Sequence, residues 1–173
     1  MRMASRHAMN ERSEAAFDRI VRENSQPVRR YALHLLRDPW LADDAMQETF
    51  LRAWKYWPSS DVSENVQAWL IRICRNVSFD MMSRRVETAG LREANVVAFG
   101  STTMRHDLTA LLNMLSLEHR EVLYLVDVLG YDYATVAEAL EVKIGTVRSR
   151  LNRARSALRE IVGDLAKADE QSA

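Results

Sequence analysis

Residues that break regular structure are scarce along this chain. Five glycines and three prolines are spread over 173 residues, whereas sandwiches, barrels and propellers need a turn signal every 8–12 residues or so. That scarcity sets β architectures aside and points to helices. The apolar residues agree. Phe17, Ile20, Val21, Val28, Tyr31, Leu35 and Leu36 recur at helical spacing, with Pro27 either separating two helices or opening the second. Asp38 is a good N-cap and Pro39 suits the first helical position that follows. From there Ala42, Ala45/Met46, Thr49/Phe50 and Ala53/Trp54 make one face, and Pro58, Ser59 and Ser60 end the helix. Ser63 can cap another, in which Val66, Trp69, Leu70, Ile73 and Val77 repeat the pattern as far as Arg85. Trp69 shares the phase of Leu70 and Ile73 and is read as core.

Periodicity fails over 86–106, which reads as a linker, though Val96–Phe99 could dock somewhere. It resumes at Leu108, Leu111, Leu112 and Leu115. Ser116 caps a helix through Leu129, with Gly130 placed to end it. Asp132 caps a short helix, Tyr133 to Leu140, and a longer one runs from the Glu141–Lys143 turn to about Val162. The expected fold is all-α: two small helical domains, 12–85 a bundle and 107–163 a helix-turn-helix, joined by the 86–106 linker and followed by a polar tail, 164–173.

Several function classes drop out. No apolar run approaches ~18 residues, so no membrane insertion is expected. The N-terminus carries no secretory pattern, and a cytoplasmic location follows as the default. His7, His34, His106 and His119 show no paired spacing with each other or with Cys74, the single cysteine, so no metal site is expected. Cys74 lies on a mostly apolar helix and reads as a buried, inert thiol. Without a nucleophile–base pair, paired catalytic carboxylates or a phosphate-binding glycine loop, neither an enzyme nor a cofactor is expected.

Charge is balanced overall, with 24 basic and 24 acidic residues, but it is not evenly placed. Residues 107–141 carry seven acids against one arginine, and residues 142–162 carry six basic residues against one acid. Local fields of this kind matter more than the total. At ~100° per residue, Val147, Leu151, Ala154, Leu158 and Ile161 fall in a stripe about 80° wide. Ser149, Asn152, Arg153 and Ser156 lie opposite, and Arg148, Arg155 and Arg159 occupy one flank. One face packs while the other offers guanidinium forks and short polar groups, as a helix entering the DNA major groove requires.

The stretch from Leu115 to Leu158, with GTVRSRLNRAR at its centre, resembles region 4 of bacterial sigma factors, above all the extracytoplasmic-function (ECF) group of the sigma-70 family. DDAMQETFLRAW (43–54) resembles regions 2.1–2.2, and AWLIRICRNVSFDMMSRR (68–85) resembles regions 2.3–2.4. These motifs stand in family order and cover nearly the whole chain. The resemblance implies a sigma factor that binds core RNA polymerase and directs promoter-specific transcription initiation, with promoter DNA and an anti-sigma factor as further partners.

Carried over residue by residue, Asp44, Gln47 and Glu48 would bind the polymerase. Asn76 would read a base of the melted minus-ten element from a loop, with Arg75, Ser78 and Phe79 beside it and Arg72, Arg84 and Arg85 on phosphates. Thr146, Arg148, Ser149, Asn152 and Arg153 would read the minus-thirty-five element, with Arg155 and Arg159 touching phosphates. The chain departs from the family at Ala45, often Leu; at Ser116, often Pro; and at Glu141 and Lys143, where Gly and Pro are common in the helix-turn-helix turn. Two other readings compete: a sigma-like decoy that binds an anti-sigma factor, which should lack the arginine-rich face, and a stand-alone helix-turn-helix regulator, which would need a sensor domain.

Overall fold

A computed structural model describes residues 2–57, 65–89, 112 and 114–171, and every regular element among the described residues is helical. The chain divides into two units, Met1–Val97 and Ala98–Ala173.

Three mutually packed helices build the first unit: α1 (Arg2–Leu36), α2 (Pro39–Tyr56) and α3 (Val66–Ala89). Pro27 neither separates nor opens helices, because α1 runs through it. An interior proline loses one hydrogen bond and crowds the carbonyl four residues back, at roughly 3 kcal/mol. Phe17 and Asn24 before it, and Val28, Tyr31, Ala32 and Leu35 after it, are all buried. A break would strip one half of that face from its partners, and each large apolar side chain is worth about 1.5–3 kcal/mol buried. Packing therefore outweighs the local penalty.

The α1 helix ends at Arg37, whose φ of 56° is left-handed and whose N–H donates to the Leu33 carbonyl at 2.9 Å. Asp38 caps α2 as the sequence indicates, its Oδ1 accepting from the Trp40 and Leu41 amides at 3.0 and 3.2 Å. Small residues dominate the core face of α2: Ala42, Ala45, Thr49 and Ala53, with Phe50. They let neighbouring backbones approach closely, and the Thr49 hydroxyl donates back to the Ala45 carbonyl at 2.6 Å. Trp54 sits at the edge of this face, 39% exposed, its ring 5.0 Å from that of Phe17. Trp57 joins that cluster to Trp69.

Three sequence expectations for α3 need correction. Asn65 supplies a cap, its Oδ1 accepting from the Ala68 amide at 3.1 Å; Ser63, like Pro58, Ser59 and Ser60, lies outside the described residues. The buried face is also rotated from the expected one. Ala68, Leu70, Ile71, Cys74, Val77 and Ser78 are buried, whereas Val66, Trp69 and Ile73 are half-buried. The reason is size: a pattern weighted by large apolar side chains misses a face whose contacts depend on Ala, Cys and Ser. Cys74 packs with its Sγ 3.7 Å from the Val28 carbonyl, and burial pushes its thiol up to about 12. The helix also continues to Ala89, past the expected end at Arg85. Residues 90–106 of the expected linker, with Leu108 and Leu111, lie outside the described residues.

The second unit is built from α4 (Leu117–Leu123), a π-helical turn π1 (Tyr124–Val128), α5 (Tyr133–Ala139) and α6 (Ile144–Gln171). Ser116 holds the N-cap position of α4 without a side-chain cap bond. The π turn, closed by Leu129 N–H to the Tyr124 carbonyl at 3.0 Å, was not legible in the periodicity. It keeps Leu125 buried while Asp127 and Val128 face outward. Gly130, at φ 78°, ends the segment. Asp132 caps α5, accepting from the Thr135 amide at 2.7 Å. The α6 helix continues to Gln171, beyond Val162 and through most of the expected polar tail.

Candidate nucleic-acid and protein interfaces

In the first unit, the four polar residues at the start of α2 divide into two roles. Asp43 turns inward to Arg29, which donates to both carboxylate oxygens, the Nη2–Oδ2 bond at 3.2 Å. That hydrogen bonding holds the Asp43 carboxyl below its ordinary range. Asp44 and Gln47 are exposed and Glu48 is half-exposed on the opposite edge, so the three expected protein-binding residues do share one surface. Glu48 is not free on that surface. It accepts from Arg52 Nε at 2.8 Å, and the same guanidinium donates to Asp80 of α3 at 3.1 Å. Both acids hold Arg52 firmly charged, Glu48 the more strongly. The sequence reading missed Arg52; its signal was the Glu48–Arg52 spacing of four, the helical ion-pair interval.

A groove runs between α2 and α3, lined by Glu48, Leu51, Arg52, Lys55, Tyr56, Ile73 and Asn76. Glu48 and Arg52 also line the adjoining recess with Asp44, Gln47, Asp80 and Arg84. Glu48 and the expected base-reading Asn76 therefore line one groove, with Asp44 and Gln47 in the recess beside it. Leu51, 65% exposed, is an apolar side chain on this surface that carried no signal in the sequence.

Asn76 stands within α3, not in a loop. The uninterrupted burial of Leu70, Cys74 and Val77 holds the backbone helical there. Its side chain is exposed, and an amide there can both donate to and accept from a base edge. Arg75 lies over the Phe79 ring with its Cζ 4.6 Å from the ring centroid, a cation–π pair on the same helix. Ser78 does not join them. It is fully buried beside Cys74, one helical turn away on the core side, and offers nothing to a ligand at this surface. Arg84 and Arg85 are exposed near the end of α3, Arg85 lying 3.7 Å from the Asp38 carboxylate, and Arg72 is half-buried.

In the second unit, α6 follows the helical-wheel arithmetic as far as Ala154; beyond it Leu158 and Ile161 of the expected stripe, and Ser156 of the opposite face, are half-buried. Val147, Leu151 and Ala154 are buried, at 0%, 2% and 0% exposure, and Arg148, Ser149, Asn152 and Arg153 are exposed. Thr146 is half-buried, and its carbonyl accepts from the Ser149 hydroxyl at 3.0 Å. Arg148 lies over the Tyr133 ring, 6.0 Å from its centroid. Arg155 and Arg159 differ. Both are exposed, but Arg155 donates to both oxygens of Asp127, at 3.0 and 2.6 Å, so its guanidinium is paired where an open phosphate contact was expected. Arg150 is likewise paired, with Glu118 at 2.8 Å. The charge asymmetry in the sequence was the available signal: the acidic segment holds part of the basic one.

The turn before α6 explains the unusual Glu141. Val142 N–H donates to the Ala137 carbonyl at 2.9 Å and Glu141 N–H to the Glu138 carbonyl at 3.2 Å. This paired closure requires a left-handed residue, and Glu141 adopts φ 56°. Lys143 follows, exposed, its carbonyl accepting from the Thr146 amide at 2.8 Å.

Among the described residues no group of histidine, cysteine and acidic side chains could hold a metal ion, and no helix is long and apolar enough to cross a membrane.

Comparison with known proteins gives a consistent result. Residues 20–88 match the family described as Sigma-70 region 2, and residues 105–158 match Sigma-70, region 4. The ECF RNA polymerase sigma factor SigC of Mycobacterium tuberculosis is 34% identical over 152 residues, 83% of this chain and 81% of that protein. SigE of Mycolicibacterium smegmatis is 32% identical over 91% of this chain, which spans 66% of the length of SigE. Among solved structures, the sigma factor RpoE of Bartonella quintana, in complex with the anti-sigma factor NepR, matches with a TM-score of 0.70. It shares 29% identity over 86% of this chain and 97% of that one.

Proposed function

The chain belongs to the extracytoplasmic-function group of the sigma-70 family, and from that membership we propose that it binds core RNA polymerase and directs promoter-specific transcription initiation. The observation that carries the DNA-reading part is the division of α6: a buried Val147–Leu151–Ala154 stripe fixes the helix, and Arg148, Ser149, Asn152 and Arg153 are left exposed. Arginine forks match guanine edges, and short polar groups permit close approach. On this reading, Arg148, Ser149, Asn152 and Arg153, with Thr146 at the start of the helix, read the minus-thirty-five element.

The first unit takes the other two tasks. Asp44, Gln47 and Glu48 bind the polymerase from the exposed edge of α2. Asn76 captures a base of the melted minus-ten strand, with Arg75 and Phe79 beside it and Arg84 and Arg85 near the backbone. Extracting a base costs a few kcal/mol of unstacking, which hydrogen bonds to the base edge repay. The functional domains are 12–85 and 107–163. Catalysis is left to the polymerase, and the protein acts in the cytoplasm under the control of an anti-sigma factor. A decoy that never touches DNA is disfavoured by the exposure of Arg148 and Arg153.

Run-off transcription with purified core polymerase, followed by mapping of the start sites, tests the proposal. Discrete start sites that depend on the chain and share upstream sequence are expected. Core binding without any start sites on genomic templates would overturn the promoter-recognition role.

A further inference from the structure

We propose that Asp127 is a positioning residue that limits sequence-independent DNA binding, by drawing the Arg155 guanidinium out of the row of cations on the flank of α6. The inference rests on the DNA-reading role of α6 proposed above.

Arg148, Arg155 and Arg159 are seven and four residues apart and lie within about 40° of one another around the helix. Arg155 is roughly 10 Å further along the axis than Arg148. Three such cations would form a continuous basic edge, suited to a phosphate backbone of any sequence. The middle one is diverted. Both oxygens of Asp127 accept from Arg155, Oδ2 from Nε at 3.0 Å and Oδ1 from Nη2 at 2.6 Å. This is the two-pronged geometry in which a guanidinium is best matched by one carboxylate.

Two features of the unit hold the pair in place. Asp127 belongs to the π1 turn, where the wider winding keeps Leu125 in the core while Asp127 faces outward. Tyr133 of α5 adds to the arrangement: after Asp127 it helps hold Arg155 charged, and its ring lies beneath Arg148. Arg148 is thus left projecting while Arg155 is held. An acid at this place acts twice, since it occupies a cation and adds a negative charge beside any approaching phosphate.

Binding of the reconstituted holoenzyme to a mixed-sequence DNA duplex, titrated with salt, reads the effect. Each phosphate contact adds about 0.9 to the steepness of log affinity against log salt. The Asp127→Asn variant is expected to gain that increment. Its affinity should fall roughly three- to fourfold more than wild type between about 0.05 and 0.2 M salt. Adding Arg155→Gln to that variant should return the slope to the wild-type value. Arg155→Gln alone should leave the slope unchanged, because the held arginine makes no phosphate contact, and this arm keeps its meaning if Asp127→Asn folds poorly. A wild-type slope in a folded Asp127→Asn variant, or a slope lowered by about 0.9 in Arg155→Gln alone, would overturn the proposal. Failure of the underlying function would show differently, as an absence of discrete start sites with the wild-type chain, and would remove both proposals together.

Discussion

Glu141, like Arg37, is a residue at which the backbone asks for one amino acid and the sequence supplies another. It occupies the left-handed position after α5, at φ 56°, with both closing hydrogen bonds made around it. An L-residue there carries a cost of roughly 1–2 kcal/mol from the contact of its Cβ with the carbonyl. Glycine escapes that cost but loses more freedom on folding, roughly 0.5–1 kcal/mol relative to alanine. The difference predicts that Glu141→Gly stabilises the second unit by about 0.5–1 kcal/mol, or about 3–6 °C in Tm for a unit of this size. The two units can be followed separately, because Trp40, Trp54, Trp57 and Trp69, the four tryptophans of the chain, all precede residue 97. Tryptophan fluorescence should therefore melt unchanged, while the far-ultraviolet circular dichroism of the second unit shifts upward. Glu141→Ala is the control, since it removes the same charge but keeps a Cβ at positive φ. If Glu141→Ala raises Tm as much as Glu141→Gly, the gain comes from charge and the backbone argument fails. If Glu141→Gly lowers it, the turn does not have the conformation described.

Asp44→Lys, at an exposed position on α2, should weaken the complex with core polymerase in a pull-down or anisotropy titration while helical content stays constant; normal binding by a folded variant would remove this edge from the interface. Asn76→Ala should reduce promoter opening, followed by permanganate footprinting, far more than core binding, because alanine neither donates to nor accepts from a base edge. Arg153→Ala should cost about 1–3 kcal/mol in promoter binding and relax preference at one base pair; an even loss across all sequences would make Arg153 a phosphate contact instead. Asp132 is held below the ordinary carboxylate range, chiefly by the Thr135 amide. Its cap contribution is therefore complete above the unfolded value near 3.9 and is lost as pH falls through the lower folded value. Asp132→Asn should flatten that part of the acid unfolding curve of the second unit, and a curve identical to wild type would assign the pH dependence elsewhere.

Much of this protein was legible from its residues because helices are local structures. The Asp38–Pro39 and Asp132 caps depend on side chains reaching amides two or three residues away, and the α6 stripe depends only on spacing within a single helix. The same holds for the alternation of an acidic segment with a basic one. What the sequence could not determine depended on partners distant in the chain. Pro27 is carried inside α1 because residues on both sides of it are buried against the other two helices, a fact absent from any local window. The working face of α3 is set by how closely α1 and α2 approach, which selects Ala68, Cys74 and Ser78 over the larger Val66, Trp69 and Ile73 and takes Ser78 away from Asn76. Which charges stay open was likewise decided in three dimensions. Arg29 takes Asp43, Arg52 reaches across to Asp80, and Asp127 takes Arg155, so a side chain's identity set its charge while the packing of the helices set whether that charge faces a partner.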